Sequence, residues 1–320
     1  MLVILGLPLA RGAFGTVHCA TLGGKKCIAK RAVKNKANAD SYLREEGAIN
    51  AKVCGAHPGS CHLAPFVGVC SIGWMDHLVW EACPGADQSL ESYLRGDRLR
   101  ALAHDLGLVD ETSSDRFDPQ RLSHVLLTEM LSALAMIHSD GIVHRDVKPE
   151  NWLVDKRTRS LRLIDFGSAC DSAAAMHSTM PVTMEYAPPE LRLTPGRAWA
   201  YDVYSVALVW LRVVSVASAL DFEALRAKAC SQVHSIEQTL AATGALSRVS
   251  KQVERVLPHL LAADPHARMS ASEALGCSQD DAYTYTCGTT VPRVLGGCGG
   301  VERSCELDFS CRADWEVACA

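Results

Sequence analysis

Aromatic residues are scarce, at 6% of the 320 positions. Unbalanced charge is absent as well: 32 Lys and Arg face 36 Asp and Glu, a net of −4. A chain so near neutral is not built to coat a polyanion, so general nucleic-acid binding is not expected and any basic chemistry must be local. No long, clean hydrophobic run occurs. The greasiest stretch, Val203 to Leu220, is broken by Arg212 and carries serines, which fits a helix in a large core better than a membrane span. The opening MLVILGLPLA has no basic leader and runs straight into a glycine-rich stretch, so it reads as a strand and not a signal peptide. Fourteen cysteines are present, yet no CxxC pair occurs, nor the density of a short secreted disulfide scaffold. Most are expected to be reduced thiols of an intracellular, by default cytoplasmic, protein.

What is present is ordinary for a folded chain. Hydrophobic residues make up 48% and charged residues 21%, which excludes wholesale disorder. The length is ample for a buried core. Residues 2–36 alternate strand-like runs with glycines, and Gly23-Gly24 reads as a hairpin turn. Residues 40–53 carry Leu43, Ile49 and Val53 on one helical stripe. Strand patterns return over 63–83. After Pro84-Gly85 the character turns helical. A polar stretch from Arg95 to Asp118 reads as loop or loose helices. Asp118-Pro119 then opens a long helix that Gly141 closes. NWLV and LRLID read as a strand pair, and apolar residues recur at helical spacing from Tyr201 to Ala274. Residues 279–320 hold five cysteines and many glycines without periodicity, so a loosely ordered tail is expected. The fold class is α+β.

The chemistry concentrates in HRDVKPEN, His144 to Asn151, with Asp165-Phe166-Gly167 following 14 residues after Asn151. Two strands lie between, so Asp146, Asn151 and Asp165 converge at one edge of a small sheet. Hard Mg²⁺ prefers oxygen donors and keeps company with phosphates, and Asn151 and Asp165 are suitable. Asp146 is then left to orient a hydroxyl and accept its proton, with Lys148 near enough to act as a point charge. A plain charged turn would not explain why the string and the DFG stand at this spacing.

On these motifs the chain resembles eukaryotic protein kinases of the Ser/Thr type, over residues 2–278. The resemblance implies a two-lobed fold, a β-rich lobe with one helix over 1–83 and a larger, mostly helical lobe over 84–278. It implies ATP and Mg²⁺ as cofactors and a protein substrate. The glycine-rich loop is Ala10 to Val17, with Gly12 and Gly15 in the family positions and Ala10 replacing the first glycine. Val17 and Ile28 would roof the adenine, and Lys30 would hold the α- and β-phosphates. Glu45 and Glu46 both qualify as its helix partner, and Glu45 is preferred because Leu43 and Ile49 would pack on either side. Glu81 and Cys83 supply the hinge backbone, Trp80 the gatekeeper, and Leu153 joins the nucleotide-binding set. Thr183, in TMEYAPPE, is expected near Asp146 and Lys148, and with HRDVKPEN it favours Ser/Thr acceptors. Glu190, Arg268 and Asp202 resemble structural anchors of the larger lobe. Arg145 precedes Asp146, and Ser172, Ser178 and Thr179 are candidate acceptors of a regulatory phosphate. However, residues 168–182 contain no Lys or Arg.

A narrower resemblance, carried by GSCHLAPFVGVC, LVW, ALAHDLGL and YAPPEL, is to plant and algal thylakoid state-transition kinases. It would put the protein in the chloroplast if the N-terminus is truncated, because no transit peptide or membrane span is read within this chain. Two alternatives compete with an active protein kinase. One is a pseudokinase that binds nucleotide or partners, supported by Ala10 and Ile28. The other is a small-molecule kinase, which would not be expected to carry TMEYAPPE.

Overall fold

The computed structural model describes residues 3–11, 15–33, 38–72, 74–109, 117–173, 183–231 and 233–277. All fall in one compact unit. Gly12, Ser178, Thr179 and the expected tail after Cys277 lie outside these residues.

The chain begins with three antiparallel strands, β1 (Val3–Arg11), β2 (Gly15–Leu22) and β3 (Lys25–Ala32). The turn between β2 and β3 is Gly23-Gly24, with φ of 58° and 83°, the left-handed pair that a two-residue hairpin requires. Helix α1 (Ala39–Ala56) follows, then β4 (Phe66–Ile72) and β5 (Met75–Glu81). The five strands form one sheet in the order β1-β2-β3-β5-β4. Alternation along β3 buries Cys27 and Ala29, which pack with Val79, Ala20 and Leu22 on one face. The opposite face carries Val17, Ile28 and Lys30, since Val17 stands opposite Lys30 and Ile28 lies two residues before it.

The second lobe opens with short β6 (Gln88–Ser89), α2 (Leu90–Arg95) and α3 (Leu99–Asp105). Helix α4 (Pro119–Ser139) starts as the sequence predicts. Asp118 accepts hydrogen bonds from the Gln120 and Arg121 amides, and Pro119 occupies the first turn. Gly141, at φ 71°, closes it. Strands β7 (Ile142–Val143) and β10 (Cys170–Asp171) pair, and β8 (Trp152–Asp155) and β9 (Ser160–Leu163) extend β6 into a three-stranded sheet. Helix α5 (Ala200–Ser218) is buried on nearly every face. Around it stand α6 (Phe222–Ser231), α7 (Val233–Ala242), α8 (Lys251–Leu260) and α9 (Ala271–Cys277). Trp210 of α5 is fully buried and donates its indole N–H to the Ser123 carbonyl of α4 at 3.0 Å, so its polar atom is satisfied within the core.

Among the described residues two helices, α4 and α5, are long and apolar enough to cross a membrane, but 61% and 83% of their apolar windows are buried within the protein. That burial is what core helices show.

The segment between α1 and β4 is bound to the second lobe by polar contacts. The Arg162 guanidinium pairs with Asp155 at 2.7 Å and donates to the Ser60 and Leu63 carbonyls at 3.1 and 2.7 Å. Ser160 Oγ donates to the Cys61 carbonyl, and the Leu163 amide to that of His62. The Arg162 charge is buried, so its five donors need these partners. The root of α1 is thereby fixed relative to the strands that carry the catalytic loop.

Candidate active site

The catalytic loop between β7 and β8 is held from below by Asp202, which is fully buried in the first turn of α5. Its carboxylate accepts the backbone N–H groups of His144 and Arg145 at 2.7 and 2.8 Å and the His138 ring at 2.9 Å. These bonds offset the cost of burying a charge. They also hold Arg145 at φ 66°, a left-handed conformation that a long side chain rarely adopts unless its surroundings impose it. His144 is buried, with Nε2 3.0 Å from the Ile164 carbonyl and Nδ1 facing the Asp146 amide at 3.4 Å. Nε2 must therefore carry the proton, and Nδ1 accepts. The ring meets Phe166 edge-on, with centroids 5.1 Å apart.

At the mouth of this loop Asp146, Lys148, Asn151 and Thr183 form one cluster. Asp146 Oδ1 accepts the Thr183 hydroxyl at 2.6 Å, and Oδ2 accepts the Lys148 ammonium at 2.7 Å. Lys148 also donates to Thr183 Oγ1 at 3.2 Å. Asn151 Nδ2 donates to the Asp146 carbonyl at 2.7 Å and to Oδ2 at 3.3 Å. Both Asp146 oxygens are thus aimed by three neighbours.

A second cluster joins the two lobes. Lys30 Nζ lies 2.6 Å from Asp165 Oδ1 and 2.8 Å from Glu46 Oε1. The Glu46 side chain is 4% exposed and that of Asp165 is 45%, so Glu46 is the interior end of the trio and Asp165 the open end. Gly15 lies opposite Ala32, and a Cβ there would come within 2.8 Å of Lys30 Cε. The glycine lets the loop strand lie on the lysine stem.

Glu45 does not meet Lys30. It is exposed and, among the described residues, accepts the Ser41 hydroxyl, one turn earlier. The buried stripe of α1 is Ala39, Leu43, Glu46, Gly47, Asn50 and Val53, whereas Ile49 is half-buried. Glu46 falls on that stripe and Glu45 stands about 100° away from it. The signal was Gly47: its Cα approaches β5 so closely that a Cβ would meet Leu78 Cδ2 at 2.8 Å, which marks the inward face directly beside Glu46. Asn50, on the same stripe, was not singled out from sequence either.

The remaining expected residues stand in the first sheet, just after β5, or on β8. Val17, Ile28, Leu153 and Cys83 are half-buried, and Ala10 and Glu81 are exposed. Ala10 stands opposite Val17 in the β1–β2 pair. Trp80 pairs with Ile28 across one strand and Phe66 across the other. Glu190 and Arg268 meet in the larger lobe at 2.7 and 3.2 Å.

A profile of the protein kinase domain matches residues 6–278. The chain belongs to the protein kinase domain family. It is 29% identical over 193 residues to Aurora kinase A-B of Xenopus laevis, covering 58% of this chain and 41% of that protein. It is 28% identical over 209 residues to the serine/threonine-protein kinase STN7, chloroplastic, of Arabidopsis thaliana, covering 61% and 34%. Against cyclin-dependent kinase 4 of Xenopus laevis the match is 26% over 321 residues, 87% of this chain and 93% of the relative. The chain thus spans about a third to two fifths of the first two relatives' own length. Among solved structures, a Stt7 homolog from Micromonas algae, crystallised and soaked with ATP, superposes with a TM-score of 0.72. It is 22% identical and is covered over 93% of its length, against 88% of this chain. That similarity shows the fold: a small antiparallel sheet with one helix, set on a mostly helical lobe.

Proposed function

We propose that this kinase domain transfers the γ-phosphoryl group of ATP to Ser or Thr hydroxyls of protein substrates. The observation that carries the reading is the Asp146–Lys148–Thr183 triangle, in which a carboxylate and an ammonium face one hydroxyl. In transfer, Asp146 orients the acceptor hydroxyl and takes its proton as the new O–P bond forms. Lys148 stays close to the group in flight and lowers the cost of its charge. Lys30, held between Glu46 and Asp165, fixes the donor end. Glu81 and Ala82 use their own N–H groups on the Pro65 and Lys26 carbonyls, and the Glu81 carbonyl, which accepts only the weak Cys83 thiol at 3.9 Å among the described residues, would meet adenine with the Cys83 amide.

Asn151 and Asp165 suit Mg²⁺. Asn151 turns its nitrogen to Asp146, so its oxygen is the end left for a cation, and Lys30 engages Asp165 through Oδ1. Among the described residues no group of three or more His, Cys, Asp and Glu could hold a metal ion. A cation bound here would therefore complete its shell with phosphate oxygens and water, as Mg²⁺ does in nucleotide sites. It would offset phosphate charge. The pseudokinase reading is not favoured, because Lys30, Asp146, Asn151 and Asp165 are all present. The similarity to a chloroplastic kinase supports a plastid setting.

Radiolabelled ATP with a generic basic protein tests the reading, with wild type run beside Asp146→Ala. Label on Ser and Thr in the wild type, reduced at least about 100-fold in the variant, is expected. Equal incorporation in both removes Asp146 from the reaction.

A further inference from the structure

Asn50 stands one turn beyond Glu46 on α1 and is 2% exposed. Both ends of its amide are engaged. Nδ2 donates to the Glu46 carbonyl at 2.9 Å, and Oδ1 accepts the indole N–H of Trp80 at 3.1 Å. The orientation is unambiguous, since an indole nitrogen only donates and the amide must turn its oxygen toward it. Trp80 is fixed in turn. It sits between Ile28 and Phe66 in the sheet, and its ring meets that of Phe66 at 5.4 Å and 59°.

A buried amide is costly unless its groups are paired. Asn50 therefore has one low-energy pose, and that pose joins helix to sheet. The other inward residues of α1 near Glu46 contribute only apolar contact, Leu43 in a small cluster with Leu78 and Gly47 against the same leucine. Apolar contact tolerates sliding, whereas a hydrogen bond of this length does not.

We infer that Asn50 is a positioning residue: its bond to Trp80 fixes α1 on the sheet at the height where Glu46 reaches Lys30. The Trp80 N–H then fixes the helix, a role beyond the gatekeeper position that the kinase resemblance implies for its ring. The inference rests on the phosphotransfer reading above for its kinetic test, and on backbone exchange for a test independent of it.

The experiment is a double-mutant cycle of wild type, Asn50→Leu, Trp80→Phe and the double variant. Each single change orphans one buried polar group, whereas the double removes both. Each single variant is expected to lose about tenfold in kcat with KM for ATP within threefold. The double should be at least threefold more active than the product of the single losses. Exchange of the α1 backbone amides around Glu46 should speed about tenfold in each single variant and no further in the double. Strictly additive losses overturn the inference, as does unchanged kcat with only a lower melting temperature. If the wild type transfers no phosphoryl, the phosphotransfer reading fails and exchange alone decides: unaltered exchange overturns the latch. Should Asn50→Leu not fold, Asn50→Ser, whose hydroxyl is too short to reach the indole, completes the same cycle.

Discussion

The Lys30 ammonium lies 2.6 Å from Asp165 Oδ1, and its other side is taken by Glu46 at 2.8 Å. Burial alone would lower the lysine pKa, but the two carboxylates outweigh it and raise it above the ordinary value. Burial would likewise raise Asp165, and Lys30 overcomes it and holds the carboxyl below the usual range. For Glu46 burial prevails, and its pKa is raised despite the lysine. The three groups are mutually dependent, with the cation in the middle keeping two carboxylates at one site.

Lys30→Met removes that cation. Glu46 and Asp165 are then left facing each other, and Glu46, the buried one, takes up a proton. Transfer is expected to fall by about 100-fold or more, consistent with the loss of one preorganised charge from such a site. The fold should remain, since the core beneath is apolar. Circular dichroism with steady-state kinetics checks both, and near-normal turnover in the variant would place the nucleotide on another lysine.

The two acids of α1 should separate cleanly. Glu45→Gln alters an exposed side chain with one local bond and is expected to leave kcat within about twofold. Glu46→Gln keeps the shape but loses the charge that steadies Lys30, and a loss of about tenfold or more is expected. Kinetics of the two variants side by side decides the matter, and the reverse order would mean that α1 rotates on binding nucleotide.

Much of this site was legible because its residues are consecutive. HRDVKPEN specifies a loop whose local geometry sets where its side chains stand, and Asp146, Lys148 and Asn151 meet there, whereas Asp165 of the DFG string pairs with Lys30 in a separate cluster. Thr183 was legible only through the resemblance of TMEYAPPE to the kinase motif. What was hidden is set by packing between elements. The choice of Glu46 over Glu45 depends on which face of α1 meets β5, and a helix with two adjacent acids does not reveal that by periodicity alone. Asn50 read as one polar residue among many, because its partner Trp80 is 30 positions away on a strand. Arg162 was silent for the same reason: its partners Ser60 and Leu63 lie about a hundred residues earlier.

Arg268 offers a stability test. Its side chain is fully buried, bound to Glu190 and to the Ala200 and Ala262 carbonyls, and stacked 4.7 Å from the Tyr204 ring centroid. Arg268→Ala strands Glu190 and two carbonyls together, and a loss of about 3–5 kcal/mol is expected. Arg268→Lys should restore little, because a single ammonium cannot reproduce the fork. Urea midpoints of the three proteins measure this, and a loss below about 1 kcal/mol would show the pair to be incidental.

His62 ties stability to pH. It sits in the segment that binds α1 to the second lobe, with Nδ1 3.5 Å from Glu129 Oε2, an ion-pair separation. Burial would lower its pKa, but Cys61 and Glu129 push it up to about 10. In the unfolded chain the ring titrates near its ordinary value of about 6.5. A group whose pKa is raised by folding stabilises the fold while protonated. The His62 contribution is therefore complete below about pH 6.5 and fades as pH rises toward 10. His62→Gln removes the charge but keeps a donor in the segment. The gap in unfolding free energy between wild type and His62→Gln is expected to be about 2 kcal/mol at pH 6 and to shrink as pH rises from 7 to 10. Denaturant titrations at pH 6, 8 and 9.5 follow that gap. A difference that stays flat or widens with pH would mean that His62 is held neutral in the fold, and that the Ser60–Leu63 segment is secured by Arg162, Ser160 and the Leu163 amide.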